Sequence, residues 1–126
     1  MPGATRAVLF VVDGLRPEEL PLAPTPHIDA LIAQGASSMT ITLTSGHGTE
    51  MPEDTMVPWI LTGASTVEGR RLPSSMNIVD IAPSLLYQLD IERPAEWLGN
   101  IARQAFVAPN TKALGPPVSR AGTEGR

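Results

Sequence analysis

The 126-residue chain contains no cysteine. That excludes a disulfide framework, a thiolate metal centre and a cysteine nucleophile, so any cation must be held by carboxylate, imidazole or hydroxyl groups. Aromatic residues make up 4% and charged residues 17%, a low charge fraction within an ordinary globular composition that is 42% hydrophobic. The formal net charge of −4 gives no excess of positive charge for phosphate contacts, which argues against a nucleic-acid partner. Long apolar runs are also absent. The run Ala7–Val12 is too short for a signal-peptide core, and nothing approaches a membrane span, so a cytoplasmic location and no membrane partner are expected.

Local patterning gives one small α/β domain over residues 1–106. "RAVLFVVDG" is a continuous apolar run ended by Asp13 and Gly14, the pattern of a strand buried on both faces in a parallel sheet. A proline-broken loop follows. "TPHIDALIAQG" then carries helix punctuation, with Thr25 as N-cap, Pro26 at the first helical position and Gly35 as the stop. Its apolar stripe is Ile28, Leu31 and Ile32. "MTITLT" alternates and is β-branched, which predicts a strand near 40–44. "MVPWIL" predicts another, confined to a sheet edge or a strand start by Pro58. "TGASTVEGRRLPSS" has turn composition. "NIVDIAPSLLYQLDI" predicts a helix over 79–90, with Ile78, Ala82, Leu85, Leu86 and Leu89 on one face and Asp80 near its start. Pro83 fits that helix only in its first turn. Residues 107–126 have Pro/Gly/Ala/Ser composition without periodicity and are expected to form a disordered tail. The expected fold is a small, mostly parallel sheet with flanking helices near 26–34 and 79–90.

Two blocks of this sequence resemble the alkaline phosphatase superfamily, in particular its type I phosphodiesterase/nucleotide pyrophosphatase branch. "AVLFVVDGLRPEEL" with "APTPHIDALIAQGA" is similar to the family's opening, a strand ending in Asp-Gly followed by a "TPNLDxLxxxG" helix. "HGTEMPEDTMVPWILTGAS" with "VDIAPSLLYQLDIERPAEWLGN" is similar to its C-terminal part, where a metal-ligand His precedes an "MPED" loop, a "VPxxxxG" strand and a "DIAPTL" helix. The blocks stand in the family's order and cover about residues 7–100. The resemblance implies a truncated alkaline-phosphatase-like core. It also implies a metal-dependent hydrolase of phosphate diester or pyrophosphate bonds, with a small phosphate ester as substrate and two divalent cations, zinc above all, as cofactors.

The chain departs from the family in length. The two blocks, normally far apart, meet here between Ser37 and Ser45, and the nucleophile segment with an Asp…His ligand pair has no counterpart. In "TSGHG", Gly46 stands where the family's "SDHG" has Asp, so His47 derives either from that motif or, as the longer match favours, from "HGTxMPED". The resemblance assigns Asp13 to one cation and His47 to the other. One protein ligand per ion falls short of the three usual for zinc, so the site is expected to be incomplete. An alternative is a non-catalytic remnant or isoform that associates with a full-length relative. Glu50, Glu53 and Asp54 read as a solvated acidic loop, and His27, Arg16, Arg70 and Arg71 as surface residues. Thr40, Thr42 and Thr44 read as strand formers rather than replacement nucleophiles. Trp59 and Trp97 read as packing residues.

Overall fold

The computed structural model describes residues 4–43, 51 and 55–107. The expected tail, apart from Val107, lies outside the described residues. After a 3₁₀ turn at Leu20–Leu22, helix α1 spans Pro26–Gln34 and strand β1 Ala36–Thr42. Strand β2 covers Met56–Leu61 and β3 only Arg70–Arg71; a 3₁₀ turn at Ile78–Asp80 leads into helix α2, Ile81–Gln88. A last 3₁₀ turn lies at Arg103–Ala105.

The described strands form one mixed sheet in the order β2-β1-β3. β1 and β2 pair antiparallel, from Ala36 opposite Leu61 to Thr42 opposite Met56, while β1 and β3 pair parallel over two residues, Ala36 with Arg70 and Ser37 with Arg71. The sheet is therefore not mostly parallel, because the strand expected at its centre is missing from it. Residues 7–12 form no strand, and residues 7–13 make no backbone hydrogen bond to another described residue. Their side chains stand in solvent: Val8 is 72% exposed, Leu9 55%, Phe10 83%, Val11 84% and Val12 61%. A run that is apolar on both faces needs a paired strand on each side and a layer above and below. The described residues supply neither.

Pro58 shapes the antiparallel ladder. Ser38 faces Trp59 and Ile41 faces Val57, so Met39 and Thr40 together stand opposite Pro58 in a β-bulge. Proline brings no N–H to the ladder, and the pairing yields there. The Thr40 amide turns instead to the Ser38 hydroxyl, 3.2 Å away. β2 is an edge strand, as its proline predicts, and β1 begins four residues earlier than the alternating stretch suggested.

One cluster forms the core: Ala36 and Ile41 of β1, Trp59 and Leu61 of β2, then Leu72, Met76, Tyr87, Ala102, Ala105 and Phe106. The Tyr87 and Phe106 rings meet at 4.7 Å with a 53° tilt, a favourable aromatic geometry. The segment around Phe106 is tied back by Val67 N–H to the Ala105 carbonyl and Val107 N–H to the Ser65 carbonyl, both 2.8 Å.

Helix α1 has the expected bounds, with Pro26 at its start. Thr25 does not cap it through its side chain; its hydroxyl donates to Asp29 Oδ1 at 3.2 Å. Gly35 ends the helix in extended backbone, and its missing side chain serves a close approach, since a Cβ there would run into the Leu61 carbonyl. Helix α2 places Pro83 in its first turn but buries a different face from the one expected. Pro83, Ser84, Tyr87 and Gln88 are buried while Ala82 is exposed and Leu85, Leu86 and Leu89 are half-buried. Polar groups hold that face in place. Ser84 Oγ donates to the Asp80 carbonyl at 2.6 Å and accepts from Ala102 N–H at 2.9 Å, and Gln88 Nε2 donates to the Ala64 carbonyl at 3.2 Å.

Candidate functional site

Asp13 sits on a two-residue turn with Gly14, whose φ of 69° lies in the left-handed region that glycine enters without strain. The Asp-Gly pair thus makes a tight turn. The structure does not place it at the carboxyl edge of a sheet, because the preceding run is unpaired. Asp13 is exposed and has no hydrogen-bond or ion-pair partner among the described residues.

The other expected cation ligand, His47, lies outside the described residues, as do Glu50, Glu53, Asp54 and Thr44. His27 is exposed on α1, in keeping with a surface role. Arg70 and Arg71 are exposed in β3, and Arg16 stands 3.9 Å from Glu18 with both side chains half in solvent, a contact of little energetic weight. Thr40 and Thr42 are half-buried residues of β1. Trp59 is buried in the core, whereas Trp97, read as a packing residue, is 37% exposed.

No group of three His, Asp or Glu side chains comes together among the described residues. Asp13 alone offers one carboxylate, and a two-zinc centre draws three or more protein ligands to each ion. The described residues therefore do not fit such a centre.

Among the described residues, two Asp, Glu, Lys, Arg or His side chains are buried, Asp80 and Arg93, and each has partners that give it a place in the fold. Asp80 is 4% exposed and accepts from Asn77 N–H at 2.9 Å and Asn100 N–H at 2.8 Å. With Asn77 it forms a capping box, the Asn77 side chain accepting from Val79 N–H at 3.2 Å. The place of Asp80 near a helix start is legible in the sequence and its burial is not; the spacing Asn77–Asp80 is the signal for the box. Arg93, 6% exposed, donates to the Trp97 carbonyl.

No helix among the described residues is long and apolar enough to cross a membrane. No protein-family model, curated protein or solved structure matches the chain.

Proposed function

We propose that the chain is a shortened relative of the metal-dependent phosphodiesterases and phosphatases of the alkaline phosphatase superfamily, with an incomplete active site. The two sequence blocks support this reading, since "AVLFVVDG" and "HGTEMPED" supply the Asp and His that the resemblance assigns to two zinc ions. The observation that carries the incompleteness is the state of the first block. Residues 7–12 have the composition of a central strand and pair with no described strand, so Asp13 is displayed on an exposed turn with no other candidate ligand among the described residues beside it.

The test is hydrolysis of bis(p-nitrophenyl) phosphate by the purified chain with added zinc, beside Asp13→Ala and His47→Ala. Equal, background turnover in all three is the expected outcome. Zinc-dependent turnover abolished in either variant would establish a working site and overturn the incompleteness.

The same exposed run favours a second reading, in which the chain acts without catalysis by associating with a full-length relative. Main-chain groups and apolar side chains left unsatisfied in one chain are what strand addition to another chain uses.

A further inference from the structure

Among the described residues, two six-residue stretches offer unpaired strand surface. The first is the run Ala7–Val12, six residues without charge and without a backbone hydrogen bond to any described residue. The second is the outer edge of β2. That strand is also six residues long, "MVPWIL", and likewise carries no charge. It ends the sheet, and no backbone hydrogen bond from another described element reaches its outer side. Edge strands are ordinarily protected by charge, proline or a covering element. Here Pro58 is the protecting residue in the strand, and it removes at most one amide donor from any added ladder.

We propose that residues 8–12 of one chain add as a strand along the outer edge of β2 in a second copy, reciprocally, to form a closed twofold dimer. A second copy is the occupant because each chain carries both halves, the unpaired strand and the unpaired edge of equal length. Reciprocal exchange satisfies both at once, and a twofold arrangement closes the assembly. The run lies between two fixed points, Ala4, whose N–H donates to the Gln88 carbonyl at 2.8 Å, and the buried Leu20. The intervening residues, at roughly 3.3 Å each when extended, set how far the strand reaches outward. The area is adequate. At roughly 70 Å² of removable apolar surface per side chain, five residues offer about 350 Å² per copy. Two donors and two covered edges together then reach the ~1,200 Å² at which stable interfaces begin.

The inference is independent of any activity toward phosphate esters, because its readouts are mass and amide protection rather than turnover. Sedimentation velocity of the full chain over a concentration series, with amide hydrogen exchange on the same samples, tests it. The expected result is a concentration-dependent doubling of mass, with the amides of residues 8–12 exchanging at least ~10-fold more slowly than in an unstructured peptide. Phe10→Lys, at a side chain that is 83% exposed in the single chain, keeps the folded circular-dichroism signal and weakens dimerisation at least tenfold. A synthetic peptide of residues 6–14 competes and returns the chain to single-copy mass. Four results overturn the proposal: a monomer at every concentration, open-ended larger assemblies, a dimer indifferent to Phe10→Lys, or a dimer whose residues 8–12 exchange at the free-peptide rate.

Discussion

Asp80 Oδ1 accepts the Asn100 amide at 2.8 Å while its Oδ2 accepts the Asn77 amide at 2.9 Å, so one buried carboxylate joins the start of α2 to a segment twenty residues further on. The same turn is tied again through Ser84, whose hydroxyl links the Asp80 carbonyl to the Ala102 amide. These bonds fix the chain that carries Ala102, Ala105 and Phe106 into the core.

Removing that carboxylate strands two amides at once. Asp80→Ala is expected to destabilise the chain by roughly 3 kcal/mol, since bonds to charged acceptors are each worth about 1.5–3 kcal/mol. Asp80→Asn keeps one acceptor oxygen and should lose about half as much. Urea unfolding followed by circular dichroism measures both, and equal stability of Asp80→Ala and the parent would show that the two bonds are not made.

Gly35→Ala tests the close approach of α1's end to β2. The new Cβ meets the Leu61 carbonyl, which is main chain and yields only if the strand shifts. A loss of about 2–3 kcal/mol is expected, seen as a fall in the thermal midpoint on the order of 10 °C for a domain of this size. An unchanged midpoint would place the helix end elsewhere.

Ile41, with no exposed surface, directly follows the bulge of β1. Ile41→Ala removes core volume that rigid neighbours cannot refill and should cost about 3 kcal/mol. Against a total stability of roughly 5–15 kcal/mol for a natural domain, that variant should be partly unfolded in mild denaturant, as fluorescence from the nearby buried Trp59 would report.

Local signals in the sequence carried much of the fold. Pro26 and Gly35 bracket α1 because helix punctuation acts within a few residues. Pro58 put β2 at an edge because a missing N–H is a property of the residue itself. What failed was tertiary. "AVLFVV" reads as a central strand, but strand formation depends on neighbours, and no described strand pairs with it. The sheet became mixed for the same reason, since among the described strands β1's parallel partner is the two-residue β3. On α2, periodicity pointed to Leu85, Leu86 and Leu89, whereas Ser84 and Gln88 are buried because their side chains satisfy main-chain groups of passing loops. The candidate site was legible as two residues and a missing middle. Asp13 proved to be exposed on its turn, and His47 lies outside the described residues.

The most direct measurement is the zinc stoichiometry of the purified chain, by equilibrium dialysis of the parent protein, Asp13→Ala and His47→Ala. An incomplete site predicts less than one zinc per chain and no difference among the three proteins. Two zinc ions per chain, each lost with its own substitution, would contradict the account and show that the shortened chain assembles a full metal centre.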